Sequence, residues 1–206
     1  MNELESMPTK VEHVDVVVLT RYDRPIKREV VDAIENQAGV RTLLHQHVGK
    51  ARPSDQNRWE TIARARNEAK SLGQNRWFMF VDDDIVLAQD CIARLVDFLR
   101  HDRKYGAVAA RCLPQEHPHH VGMGTTLFRR GVLAHFNFRW KKNACECQCC
   151  CDDLRRQQIG ICYVPGANAI HLRDHPPSEK DQWKQASDHV SLQLLTSLLA
   201  RPGRAS

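Results

Sequence analysis

Aromatic side chains are scarce in this chain, at 6% of its 206 residues. Long hydrophobic runs are missing as well: no uncharged apolar stretch reaches the roughly 18 residues that would suggest a bilayer-spanning helix. The opening residues, Met1 to Asp15, hold no apolar core of the kind a secretory signal carries, which argues against export by that route. Nor does one sign of charge dominate. Thirty Lys and Arg residues against 25 Asp and Glu leave a net +5. That is less basic than a typical polyanion-binding stripe and suits a small phosphorylated ligand. Disordered, collagen-like and low-complexity classes are also excluded, because 42% of the residues are hydrophobic and 27% charged. The length fits one domain with a sizeable core, with or without a tail.

Cysteine, by contrast, is abundant. Eight are present, at positions 91, 112, 145, 147, 149, 150, 151 and 162, and five of them fall in the seven-residue run CECQCCC. A secreted disulfide scaffold spreads its cysteines along a short chain, so a reducing, cytoplasmic setting is expected. The run must then bind metal, carry redox chemistry or serve local structure.

Strand and helix patterns alternate along the chain. Val14 to Leu19 is a β-branched run suited to a strand buried on both faces. Asp23-Arg24-Pro25 reads as a helix start with Pro in the first turn, followed by Ile26, Val30, Ala33, Ile34 and Gln37 at helical spacing and a stop at Gly39. Arg41 to Val48 is a second strand and Lys50 to Asn57 a polar loop. A helix from Trp59 to Leu72 carries Ile62, Ala65, Ala69 and Leu72 on one face, with Arg58, Arg64 and Lys70 on its flanks. Arg76 to Val81 is a third strand, Ile92 to Leu99 an amphipathic helix, and Gly106 to Arg111 a fourth strand. Beyond residue 112 the pattern weakens. Gly124 to Arg130 reads as a strand or strand–helix junction, Ile161 to Val164 as a short strand ending at Pro165-Gly166, and Ser178 to Ala200 as a helix. The expected architecture is α/β, a single Rossmann-like domain with a mixed, mostly parallel sheet flanked by helices and a C-terminal helix. Its expected divisions are a tail over 1–13, a catalytic-type domain over 14–177, and a helix and tail over 178–206 that pack back on it.

The third strand runs straight into Asp82, Asp83 and Asp84. Open α/β sheets bind ligands beyond the carboxyl ends of their strands. Three adjacent carboxylates repel one another, and a divalent cation with oxygen ligands, Mg²⁺ or Mn²⁺, removes that cost. Asp82 and Asp84 can then divide the work, one on metal and one on a sugar hydroxyl. The plain alternative is that the triplet opens the next helix and complements its dipole.

At this point the residues resemble a known family. Ile62-Ala-Arg-Ala-Arg-Asn67, then a helix, then Trp77-Phe-Met-Phe-Val-Asp-Asp-Asp84, is similar to the family-2 glycosyltransferases of GT-A fold. There a segment ending Ala-Arg-Asn opens a helix, and a hydrophobic strand about a dozen residues later ends in Asp-x-Asp. Val16-Val-Val-Leu-Thr20-Arg-Tyr-Asp-Arg-Pro25 is similar to the first strand and nucleotide loop, and Gly124 to Arg130 to the segment approaching the acceptor. Asp152-Asp153-Leu154 with the strand Ile161 to Pro165 resembles the acidic motif that supplies the base, and His171 stands where many members carry a histidine. The resemblance runs from about Val14 to His175. One departure is the second strand, which reads LLHQHVGK where the family usually has an Asp for the nucleobase.

The resemblance implies transfer of a sugar from a nucleotide-diphosphate sugar to an acceptor hydroxyl, on a glycan, lipid, protein or small molecule, with inversion. It implies Mn²⁺ or Mg²⁺ on Asp84, helped by Asp82, with His171 as a further ligand or diphosphate contact. Thr20, Arg21, Arg66, Asp82 and Asp83 are implied for the nucleotide-sugar, Arg because its fork of donors matches phosphate. Asp152 or Asp153 is implied as general base, Asp152 being favoured because Asp153 can cap a short helix over Leu154 to Gln158.

The remaining clusters read less sharply. In a strand, Cys145, Cys147, Cys149 and Cys151 would share one face, yet the run lacks the two spaced knuckles of a structural zinc site, so a reduced, packed segment flanking Asp152 and Asp153 is expected. His117, His119 and His120, with Pro118 among them, read as a solvent-facing loop. The arginines near Arg58 have no aromatic interleaving, so no nucleic-acid partner is expected. The leucines between Leu192 and Leu199 are expected to pack on the domain's own core. A non-catalytic metal-binding module and a nucleotidyltransferase are the competing function classes.

Overall fold

The computed structural model describes residues 11–20, 25–113 and 120–172. The N-terminal residues 1–10, Arg21 and the expected C-terminal helix lie outside the described residues. Seven strands form one sheet: β1 (Glu12–Thr20), β2 (Val40–Val48), β3 (Trp77–Asp82), β4 (Ile85–Leu87), β5 (Tyr105–Leu113), β6 (Thr125–Arg129) and β7 (Gly160–His171). Four α-helices accompany them: α1 (Arg28–Glu35), α2 (Arg58–Ala69), α3 (Cys91–His101) and α4 (Glu146–Arg156), with a 3₁₀ turn at Arg130–His135.

The sheet order is β2-β1-β3-β6-β5-β7-β4. β2, β1 and β3 are parallel. β6 lies antiparallel between β3 and β5. β7 is parallel to β5 and antiparallel to β4. The α/β expectation therefore holds, with the parallel pairing concentrated at the β2–β1–β3 side.

Alternation along the strands splits the core between two faces. Val14, Val16 and Val18 of β1 with Trp77, Met79 and Val81 of β3 pack against α1 and α3 through Val30, Ile34, Ile92, Leu95 and Leu99. Val17, Phe78 and Phe80 face the other way, against Ala63 and Ala69 of α2 and Cys150, Cys151 and Leu154 of α4. Period-two side-chain geometry makes such a strand hydrophobic at every position. Five phenylalanines, Phe78, Phe80, Phe128, Phe136 and Phe138, are pooled on this second face. Phe80 makes edge contacts with Phe78, Phe128 and Phe138 at ring separations of 4.8, 6.2 and 5.5 Å, and Phe136 meets both Phe128 and Phe138. Each large side chain fully buried this way contributes about 1.5–3 kcal/mol.

A polar lock closes the β1 side near its amino end. Asp15, buried inside β1, accepts from the backbone N–H and side-chain amide of Asn75 at 2.7 and 2.9 Å, and from Arg130 at 2.6 Å, with His45 at 3.2 Å. Burial works against its ionisation, but these donors outweigh burial and hold its carboxyl below the usual range. Gly73, at φ +68°, is needed here twice over: a Cβ would strike the Asp15 carboxylate at 2.1 Å.

The structure decides four local readings. Pro25 and Ile26 precede α1 instead of opening it, because Lys27 is extended (φ −57°, ψ 138°) and the helix starts at Arg28. The aspartate triplet leads into β4, not a helix, since Ile85, Val86 and Leu87 pair with β7, which removes the helix-opening alternative. Pro165-Gly166 does not end β7. Its register against β5 shifts between Tyr163 and Asn168, the partners of Ala109 and Arg111, with Gly166 at φ +80° inside the irregularity, and the strand continues to His171. The cysteine run is helical, not extended: Cys147, Cys150, Cys151 and Leu154 form a buried i, i+3, i+4, i+7 stripe on α4.

Candidate active site

A cavity of about 600 Å³ opens beyond the carboxyl ends of β1 and β3. The last residue of each strand, Thr20 and Asp82, lines it, with Asp83, Asp84, Arg66 and His171. One wall is the loop over 49–57 and the start of α2. That loop is pinned by Asp55, which accepts from the Arg52 N–H at 2.8 Å, the Thr61 hydroxyl at 2.7 Å and Arg64 at 2.7 Å. Arg64, expected on a helix flank, thus ties α2 to its own leading loop and also donates to the Lys50 carbonyl. Asn57 caps α2 by accepting from the N–H groups of Trp59 and Glu60.

Arg66 is 2% exposed and bridges the two sides of the cavity. It donates to Asp82 Oδ1 at 2.9 Å and its Nε lies 3.7 Å from Glu146 Oε1. Its Nε and Nη1 and the second oxygen of Glu146 are buried with no hydrogen-bond partner. Such orphaned polar atoms lining a cavity point to an absent ligand. The next residue, Asn67, exchanges two hydrogen bonds with the backbone of Phe138, at 2.7 and 2.8 Å, and so fastens the segment that follows the 3₁₀ turn to α2. Gly124 is required by close approach: a Cβ there would lie 2.2 Å from Asp82 Oδ2.

The aspartates separate in role by geometry. Asp82 turns to Arg66. Asp84 Oδ2 lies 3.3 Å from His171 Nε2, brought there by the β4–β7 pairing that sets Ile85 opposite His171. Burial pushes the Asp84 carboxyl up, as do Asp82 and Asp83, while His171 draws it down. A divalent cation fits these two residues. They combine a carboxylate under like-charge repulsion with an imidazole whose Nδ1 is buried and unpartnered.

Asp152 and Asp153 are not among the residues lining the cavity. Both lie in the second half of α4, so neither caps a helix over Leu154 to Gln158. Asp153 is clamped by Arg139 at 2.6 and 3.1 Å and by Arg156 at 3.0 Å, and Asp152 pairs with Arg155. The carboxylate that α4 does deliver to the cavity is Glu146, in its first turn and 2% exposed. Glu146 was not among the residues expected at the site. The signal was the helical stripe from Cys147 to Leu154, which puts Glu146 at a helix start, where an acidic side chain is favoured.

Cys147 and Tyr163 complete the wall on the Glu146 side. His120 is not the solvent-facing residue expected: it is half-buried, with Nε2 3.2 Å from Cys145 Sγ. His117 and His119 lie outside the described residues. None of the eight cysteines is in a disulfide, and no helix among the described residues is long and apolar enough to cross a membrane.

Solved structures share this fold. A mannosyltransferase from Pyrobaculum calidifontis, in complex with GDP-Man and Mn²⁺, matches 96% of this chain and 67% of its own at a TM-score of 0.64 and 16% identity. TarS of S. aureus matches 89% of this chain and 40% of its own, with TM-score 0.60 and 10% identity. Glucosyl-3-phosphoglycerate synthase from Mycobacterium tuberculosis, in complex with Mn²⁺, UDP and phosphoglyceric acid, matches 94% and 80% at a TM-score of 0.54 and 14% identity. No curated protein matches by sequence. The model of glycosyl transferase family 2 matches residues 35–159, from the end of α1 through α4, and the chain therefore belongs to that family.

Proposed function

We propose that this chain moves a sugar from a nucleotide-diphosphate sugar to an acceptor hydroxyl, with inversion at the anomeric carbon. The observation that carries the reading is the convergence on one cavity of Thr20, Arg66, the Asp82–Asp84 strand end and His171 on the donor side with Glu146 on the other. The solved neighbours that hold GDP-Man with Mn²⁺, or UDP with Mn²⁺, support it by likeness of fold.

The division of labour follows from position. Thr20 and the pinned 49–57 loop form the nucleotide wall, and Arg21, which follows Thr20 directly in sequence, is assigned to the same ligand. Asp82, oriented by Arg66, and Asp83 serve the donor's hydroxyls. Asp84 and His171 hold Mn²⁺ or Mg²⁺, which when bound supplies the positive charge that stabilises a diphosphate leaving group. Glu146 replaces Asp152 and Asp153 as the base. It takes the proton of the acceptor hydroxyl as that oxygen bonds to the anomeric carbon and the carbon–diphosphate bond breaks. A single displacement of this kind inverts the centre.

Calorimetry with Mn²⁺ and a panel of GDP-mannose, UDP-glucose and UDP-N-acetylglucosamine tests the reading. Mn²⁺-dependent binding of one donor, lost in Asp84→Ala with the melting temperature unchanged, is expected. Binding that survives Asp84→Ala overturns the assignment of the cation, and turnover of a nucleoside triphosphate in place of a sugar nucleotide overturns the reaction class.

A further inference from the structure

At the edge of the acceptor-side wall, three side chains from two separate segments converge. His120 offers Nε2, Cys145 and Cys147 each offer Sγ, and the three atoms all lie within 4.8 Å of one another. Cys145 Sγ and His120 Nε2 are 3.2 Å apart. We propose that His120, Cys145 and Cys147 form a second metal site, distinct from Asp84 and His171, that binds a borderline-soft divalent ion, zinc above all.

The donor set decides the class of ion. Two thiolates and an imidazole suit tetrahedral Zn²⁺, whereas Mg²⁺ and Mn²⁺ prefer the oxygen donors found at Asp84. The spacing suits it too, because sulfur and nitrogen ligands at about 2.0–2.3 Å from one ion sit close together. The Cys147 thiol donates to Glu146 Oε1 at 3.2 Å, and metal binding would release that proton. Backbone N–H groups donate to both sulfurs, Gln148 to Cys145 and Met123 to Cys147, each at 3.4 Å. Such donors orient metal-bound sulfur and offset its charge.

The placement also states what the ion would do. His120 opens the segment 120–124, whose Gly122, Met123 and Gly124 line the cavity, and Cys145 and Cys147 flank Glu146 at the start of α4. These two pieces already touch through weak sulfur contacts, Met123 N–H to Cys147 and Cys151 to the Val121 carbonyl at 3.7 Å. Tyr163 of β7 steadies the segment separately, receiving the Gly122 N–H and donating to the His120 carbonyl. A zinc ion bound across the two pieces would clamp the segment to the helix and hold Glu146 in register with the donor side.

The test needs no sugar nucleotide, so it succeeds or fails independently of the transferase reading. Full-length protein, stripped with a chelator under reductant, is titrated with Co²⁺ and read by absorption, then back-titrated with Zn²⁺. A single equivalent of Co²⁺ should raise a thiolate-to-cobalt charge-transfer band and the intense visible bands of a tetrahedral ion, both displaced by Zn²⁺. Cys145→Ser and His120→Ala should each abolish the charge-transfer band while retaining native circular dichroism, and Cys162→Ser and Asp84→Ala should keep it. Zinc should raise the melting temperature of the wild type and not of Cys145→Ser. Absence of the band in the wild type, its survival in both Cys145→Ser and His120→Ala, or its loss in Asp84→Ala overturns the proposal. So does a Cys145–Cys147 disulfide that persists under reductant.

Discussion

The β2–β1–β3 side of the domain and the β6–β5–β7–β4 side are built on different logic. On the first, parallel strands end together, and Thr20 and Asp82 reach the cavity because they are the last residues of neighbouring strands. Its wall is held by partners close in sequence, such as Asp55 with Arg52, Thr61 and Arg64. On the second, β6 runs antiparallel, β7 shifts register, and the groups that reach the cavity come from segments as far apart as Ile85, Cys112, Glu146 and His171. Strand direction alone thus builds one wall of the cavity, while the opposite wall needs a helix, an interrupted strand and a sulfur cluster to assemble. Arg66 joins the halves, with Asp82 on one side and Glu146 on the other.

The most damaging way to break that joint is Arg66→Ala. Two carboxylates would be left facing each other without their guanidinium, at a cost of about 3–5 kcal/mol, and the denaturant midpoint should fall accordingly. A variant as stable as the wild type would mean that the halves are held together elsewhere. Asp84→Ala leaves the joint intact and attacks the donor side alone. Turnover should drop about 10²–10³-fold, the size of loss seen when a group stabilising a developing charge is removed, with the melting temperature unmoved.

Asp15→Asn sharpens the contrast from the amino end of the same side. Losing charge-assisted bonds to Arg130 and Asn75 should cost about 1.5–3 kcal/mol, with little effect on turnover. The sign with pH is fixed by the lowered carboxyl. Its contribution is complete above the unfolded-state value and fades as pH falls from about 5 through that range toward the folded-state value. The wild type should therefore lose more stability than Asp15→Asn over that interval in pH-dependent melts. An equal loss would show that Asp15 is not part of the acid-labile lock. The smallest effect belongs to the outer face of α4. Asp152→Ala should leave turnover at the wild-type level and change stability by no more than about 1 kcal/mol, as for exposed ion pairs. A large loss of turnover there would restore Asp152 as the base in place of Glu146.

The donor half was largely legible from residue order. A β-branched strand, a one-faced helix carrying Ala65-Arg66-Asn67 and a strand ending in three aspartates are local patterns, and β1, α2 and β3 appear within a few residues of where those patterns put them. The acceptor half was less so. An alternating cysteine run has a period of two on paper and a stripe of 3.6 in α4, and only the buried Cys147, Cys150, Cys151 and Leu154 decide between them. That choice moved the acidic group at the cavity from Asp152 and Asp153 to Glu146. Pro165-Gly166 misled for a related reason: turn residues ordinarily end a strand, but here β5 and β4 hold β7 on both sides and the irregularity is absorbed.

By itself the sequence determined an α/β domain, a strand-end acidic cluster and an arginine fit for phosphate, because hydrophobic period, caps and charge are set by neighbours a few residues apart. The tertiary structure decided which carboxylate faces the cavity, that Asp84 pairs with His171 while Asp82 pairs with Arg66, and that His120 meets Cys145 and Cys147. Those are contacts between segments distant along the chain. They depend on strand register and helix phase, which local propensity leaves open until the sheet closes around them.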